Sequence, residues 1–129
     1  MRYLLDTHSL IWFIGGDSQL GSEARGLIDD EENEIYVSIA SLWEMAIKYS
    51  NGKLNLGEPF EDMFPKQLEI NSIEILDIAV NHLKVTAKLP FHHRDPFDRL
   101  IIAQATIERM PIISVDEVFD DYGVERIRA

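Results

Sequence analysis

There is no cysteine in this 129-residue sequence. That excludes disulfides, thiolate metal sites and cysteine nucleophiles, and it suits a reducing compartment. Long apolar runs are missing too. No stretch approaches the roughly 20 residues needed to span a bilayer. The opening Met1-Arg2-Tyr3-Leu4-Leu5 meets Asp6 before it could become the apolar core of a signal peptide. A soluble, cytoplasmic protein with no membrane partner is expected. Positive charge is scarce: 12 Lys and Arg stand against 23 Asp and Glu, a net charge of −11. A surface built for nonspecific nucleic-acid binding carries the opposite sign. The excess acid has two readings, solubility or carboxylates gathered around divalent cations, and only position separates them. Asp29-Asp30-Glu31-Glu32 reads as a solvated loop.

What is present suits one soluble globular domain over residues 1–129, with 46% apolar and 27% charged residues. No repeat, low-complexity tract or linker divides it. Tyr3-Leu4-Leu5 predicts a buried first strand, followed by a helix from Thr7 closed by Gly15-Gly16. Ser22 is placed to cap a second helix. Ile35-Tyr36-Val37 predicts the second strand, and Ser38 the cap of a long helix ending before Asn51-Gly52. Pro59 opens a helical stretch that Pro65 breaks. A third strand covers residues 73–76, a helix residues 79–87 and a loop residues 88–94. Asp95-Pro96 starts another helix, proline suiting the first helical position. Ile112 to Val115 predicts a fourth strand ending at Asp116, and Val124 to Ile127 the last strand. Short apolar strands alternating with helices predict an α/β fold, a mostly parallel sheet covered on both faces. Such sheets place their sites beyond the carboxyl ends of the strands.

Asp6 and Asp116 each follow a predicted strand, so both belong at that edge. Glu44 lies in the second turn after Ser38, and Asp95 and Asp98 open the helix leading into the fourth strand. Each has an ordinary explanation. Asp6, Asp95 and Asp116 are all good helix caps. Asp98 can return a bond in a capping box. Glu44 can pair with Lys48 at i, i+4 on a solvent stripe that includes Ser41. Singly these suffice; jointly they explain less well why acids follow separate strands of one sheet. Crowded carboxylates are costly without a compensating proton or cation. Mg²⁺ or Mn²⁺, which prefer oxygen ligands, are the natural compensation if the acids converge.

The local strings add a resemblance. Leu4-Leu5-Asp6-Thr7-His8-Ser9-Leu10-Ile11-Trp12, the stretch from Ser38 to Lys48 with Gly52-Lys53-Leu54, the stretch from Leu89 to Ala105, and Ile113-Ser114-Val115-Asp116-Glu117-Val118-Phe119 with Tyr122 resemble, in order, the blocks of PIN-domain ribonuclease toxins of the VapC kind from type II toxin–antitoxin systems. The segment from about Glu58 to Lys88 is generic. The resemblance implies a three-layer α/β/α fold and a Mg²⁺ site, with Mn²⁺ a possible substitute, built by Asp6, Glu44, Asp98 and Asp116. Asp95 is ranked as a cap or supporting residue, and Ser114 as a hydroxyl that orients a carboxylate or water. It also implies an RNA substrate, a cognate antitoxin partner and a homodimer.

The reaction so implied is metal-assisted phosphodiester hydrolysis with water as nucleophile. Lys48, Lys53, Arg94 and Arg99 are the candidates for phosphate contacts. His8, His92 and His93 fit no common zinc spacing and are assigned structural or substrate-contact roles; His82 is read as a surface helix residue. Trp12, Phe13, Trp43 and Phe97 are assigned to core or dimer packing. Two rivals remain at this stage. A receiver-like phospho-acceptor domain would use Asp77 after the third strand. A catalytically silent PIN-like interaction module would keep the fold without the reaction.

Overall fold

The computed structural model describes residues Met1–Ala129. Five strands, β1 (Arg2–Leu5), β2 (Glu34–Ser38), β3 (Ile73–Leu76), β4 (Ile112–Ser114) and β5 (Arg126–Arg128), form one sheet in the order β3-β2-β1-β4-β5. Every pairing is parallel, so the sheet is fully rather than mostly so. The helices are α1 (Thr7–Gly15), α2 (Ser22–Asp29), α3 (Ile39–Ser50), α4 (Phe60–Met63), α5 (Lys66–Ile70), α6 (Val80–Thr86) and α7 (Pro96–Glu108), and a 3₁₀ turn spans Glu117–Tyr122. No helix is long and apolar enough to cross a membrane.

Alternation along the strands explains the layers. Tyr3 and Leu5 of β1 point to one face with Ile35, Val37, Ile73 and Ile113, where Leu10, Phe13, Ala24, Ile28, Met45 and Leu68 of the helices cover them. Leu4 and Ile112 point to the other face, against Ile101, Ile102 and Ala105 of α7 and Phe119. Both faces are apolar because both are covered. The architecture is three-layer α/β/α.

Local chemistry sets most of the boundaries. Ser38 caps α3, its Oγ accepting the Ala40 N–H at 3.0 Å. Gly16 ends α1 at φ 63°, a left-handed conformation glycine adopts without steric cost. Asp95 caps α7 with Pro96 first in the helix. Pro65 separates α4 from α5.

Several expectations are corrected. Ser22 is the first residue of α2, and the cap position is Gly21, which has no side chain to accept a bond. β4 ends at Ser114 rather than at Asp116, because Asp116 turns to accept the Val118 N–H and starts the 3₁₀ turn. That turn runs to Tyr122, and Gly123 reverses it at φ 73°, so β5 pairs only from Arg126, opposite Ile112. His82 is 2% exposed, not a surface residue. Its Nδ1 accepts the Ala79 N–H at 2.9 Å, and its Nε2 lies 3.3 Å from Glu108 Oε1, tying α6 to α7. The receiver reading fails on topology: β3 is an edge strand with β2 between it and β1, so Asp77 follows an edge strand and not a neighbour of β1.

Candidate metal centre

The register of β1 and β4 builds the centre of the site. Leu5 pairs with Ile113, so Asp6 is level with Ser114 one step further on. Ser114 Oγ donates to Asp6 Oδ2 at 2.5 Å and accepts the Asp116 N–H at 3.0 Å. One buried hydroxyl thereby links two acids from the ends of separate strands. Asp6 also caps α1: its Oδ1 accepts the Ser9 N–H at 2.8 Å, while Ser9 Oγ donates to the Ile113 carbonyl at 2.9 Å. Capping and pointing into the crevice are therefore compatible, because a carboxylate has two oxygens with two lone pairs each.

Glu44 reaches the same edge from α3, which Ser38 starts at the end of β2. Thr7 Oγ1 donates to Glu44 Oε1 at 2.7 Å, and Lys48 Nζ to Oε2 at 2.8 Å. The Glu44–Lys48 pair is present, but it is not part of a solvent stripe: Glu44 and Ser41 are both buried. The bond to Glu44 holds the Lys48 ammonium above its ordinary pKa, against some loss from burial.

Asp98 and Asp116 meet at His93. His93 Nε2 lies 3.0 Å from Asp98 Oδ2 and 2.9 Å from Asp116 Oδ2. Asp95 keeps the role of a cap, its Oδ1 accepting the Phe97 and Asp98 N–H groups at 2.9 and 3.4 Å. The expected capping-box return from Asp98 does not form; the Asp95 N–H goes instead to His93 Nδ1. Burial, then the charge of Asp95, pushes the Asp98 carboxyl up to about 7; Asp6 and Glu44 add to this and His93 opposes it. Asp6 and Glu44 are near enough for their charges to act on Asp98, whereas the ligand atoms that lie within 4.8 Å of one another are those of His93, Asp98 and Asp116.

This shift carries a pH dependence. The folded state keeps a proton on Asp98 that the unfolded chain, with an ordinary Asp pKa of about 3.9, gives up. Stability from this group is complete below about pH 4 and is lost as pH rises through about 7. The metal-free protein is expected to lose stability across that interval, and Asp98→Asn to flatten that part of the curve. Urea unfolding at a series of pH values checks this; superimposable profiles for the two proteins would refute it.

The donor set fits a hard divalent cation. The four acids offer only oxygen. The Asp98 carboxyl is raised first by burial and then by the neighbouring carboxylate of Asp95. Ser41 Oγ, one turn before Glu44 on the same helix face, is buried without a protein partner.

The sequence profile of the PIN domain matches residues 3–125. The chain belongs to the PIN domain family. Ribonuclease VapC16 of Mycobacterium tuberculosis is 40% identical over 47 residues, a match covering 36% of this chain and 33% of that protein's length. A structure of VapBC2 from Rickettsia felis, bound to a DNA fragment from their promoter, matches at TM-score 0.74 over 98% of each chain with 18% identity. A toxin–antitoxin complex from Klebsiella pneumoniae matches at TM-score 0.59 over 88% of this chain and 86% of that one, with 17% identity. At such identities the likeness to the two solved structures is one of fold.

In this PIN domain the expected phosphate contact at Arg99 is corrected. Its guanidinium is buried and donates to the carbonyls of Pro90 (2.9 Å), His93 (3.3 Å), Thr86 (3.1 Å) and Leu89 (3.1 Å), with Phe91 stacked 4.1 Å away. Arg99 organises the loop; it is not free for substrate. Lys48, Lys53 and Arg94 keep exposed or part-exposed side chains. Thr7, Ser9 and His93 are contributors that the sequence reading did not assign to the acids. For Thr7 the readable signal was a hydroxyl residue directly after a strand-ending Asp; Ser9 serves Asp6 through its backbone N–H, which carries no side-chain signal.

Proposed function

We propose that this PIN-domain chain is a Mg²⁺-dependent endoribonuclease, Mn²⁺ substituting, that acts in the cytoplasm as the toxin of a toxin–antitoxin pair. What supports the reading is the placement of Asp6 and Asp116 beyond the ends of β1 and β4, joined through Ser114, with Asp98 and Asp116 both within 3.0 Å of His93 Nε2 and Glu44 tied to Thr7 next to Asp6. The four acids would hold the cation, which when bound supplies charge compensation and a water acidic enough to attack phosphorus. Ser114 and Thr7 fix the carboxylates of Asp6 and Glu44 by direct hydrogen bonds. Lys48, 42% exposed at the far side of Glu44, is positioned to meet a phosphate oxygen.

The partner assignments rest on the same pocket. A crowded acidic crevice attracts a basic side chain, which is how an antitoxin would plug it. Trp43, 58% exposed and edge-on to Phe97 at 5.0 Å, supports a protein contact such as a homodimer at that face.

The test is RNA cleavage with and without chelator, alongside thermal melts. Chelation is expected to abolish cleavage. Adding Mg²⁺ at a hundred times its dissociation constant is expected to stabilise the fold by about 2.7 kcal/mol. Cleavage that survives complete chelation would overturn the proposal, and cation binding with no cleavage of any RNA would mark a silent interaction module instead.

A further inference from the structure

We infer that His93 is a positioning residue for the cation site, its Nε2–H donating to Asp116 Oδ2 with Asp98 Oδ2 3.0 Å away, so that the two carboxylates are spaced with their other lone pairs facing the cation. The inference rests on the reading of the acids as a cation site and adds the residue that arranges them.

His93 is fixed from several directions. Its backbone N–H donates to Tyr122 Oη at 2.7 Å, and that hydroxyl donates in turn to the Pro90 carbonyl at 2.7 Å. Its carbonyl accepts from Arg99. Its ring lies against Phe119, centroids 5.9 Å apart. Its Nδ1 accepts the Asp95 N–H at 3.2 Å. A residue so held is a rigid post, not a gate.

The Nδ1 contact decides the chemistry of the other nitrogen. A neutral imidazole has one donor and one acceptor nitrogen. Since Nδ1 accepts a backbone N–H, the ring proton sits on Nε2 and points at Asp116 Oδ2, with Asp98 Oδ2 beside it. The ligand atoms of His93, Asp98 and Asp116 lie within 4.8 Å of one another, close enough for one metal ion. Yet for Nε2 to ligate, the proton would have to move to Nδ1, against the Asp95 N–H. His93 is therefore a donor to the ligands and not itself a ligand. A ring nitrogen lying within 3.0 Å of both acids and bonded to one of them sets their spacing before a cation arrives. Partners of this kind, acting through ligands, typically contribute 10–100-fold to metal affinity.

Calorimetric titration of Mn²⁺ into the full chain without RNA tests this. His93→Ala is expected to bind roughly 10–100-fold more weakly than wild type. His93→Gln, which keeps an N–H donor, is expected to recover most of the loss. Asp6→Asn is the control expected to bind least. His93→Ala binding as tightly as wild type, or both variants weakening equally, would overturn the inference while leaving the cation site intact. A wild type that binds no cation would overturn the underlying reading as well. Nitrogen NMR of wild-type His93 gives an independent readout even if the alanine variant does not fold: a ring protonated on Nδ1 alone would exclude the donor role.

Discussion

Asp6→Asn is expected to reduce RNA cleavage by more than about a hundredfold while leaving the protein folded. The size follows from position. Groups that merely support metal ligands cost 10–100-fold when removed, and Asp6 is itself a proposed ligand, joined to Asp116 through Ser114. The fold survives because asparagine is as good a helix cap as aspartate, so the Ser9 N–H keeps its acceptor. Ser114 Oγ can rotate to accept where it now donates. One charge fewer also relieves Asp98, whose carboxyl Asp6 helps to push up. In metal-free buffer near pH 8 the variant should therefore melt no lower than wild type. Single-turnover cleavage and thermal melts on the same samples check both halves, with Asp116→Asn as a second case. Cleavage within tenfold of wild type in both variants would count decisively against catalysis by this cluster.

Arg99→Lys should destabilise the fold by about 3 kcal/mol or more, despite conserving the charge. The guanidinium serves carbonyls from Thr86, Leu89, Pro90 and His93 from one buried point. An ammonium has three donors and no plane, so it cannot reproduce that fork or the stack on Phe91. Hydrogen bonds to a charged group contribute about 1.5–3 kcal/mol each. Water recovers part of this at the half-exposed carbonyls, which keeps the total well below the sum. Urea unfolding gives the number; a loss under about 1 kcal/mol would mean the loop holds its shape without the arginine. Because the clamp includes the His93 carbonyl, cation affinity should fall as well.

These outcomes separate what the chain announces locally from what only docking decides. The strands were readable because both sheet faces are covered, which makes Tyr3-Leu4-Leu5 and Ile112-Ile113 continuous apolar runs. Asp6 was readable because a charge ends such a run abruptly. The caps at Ser38 and Asp95 follow from chemistry confined to a few neighbouring residues. His93 was not readable in this way. Its contact with Asp116, 23 residues away, exists only once the start of α7 is seated beside the end of β4. Arg99 and His82 were misread for a related reason. α7 is buried over most of its circumference from Arg99 to Ala105, so hydrophobic periodicity cannot tell which polar residue it carries inward, and α6 exposes Val80 and Leu83 while burying His82, so its apolar positions point the wrong way. Each is buried because carbonyls or side chains of other segments meet it there.

The link from Ser114 to Asp6 joins residues 108 positions apart. At ordinary elongation speeds of about 5–20 residues per second, Asp6 waits roughly 5–20 s during translation for that partner to be made. Throughout the wait β4 is missing from its slot beside β1, and the nascent chain holds two of the four acids at most until α7 is made. A polypeptide proposed to cut RNA is thus assembled next to the ribosome, itself largely RNA, in a form that cannot yet cut. Under the proposed ribonuclease reading, strand order by itself postpones completion of the cutting site until β4 is made.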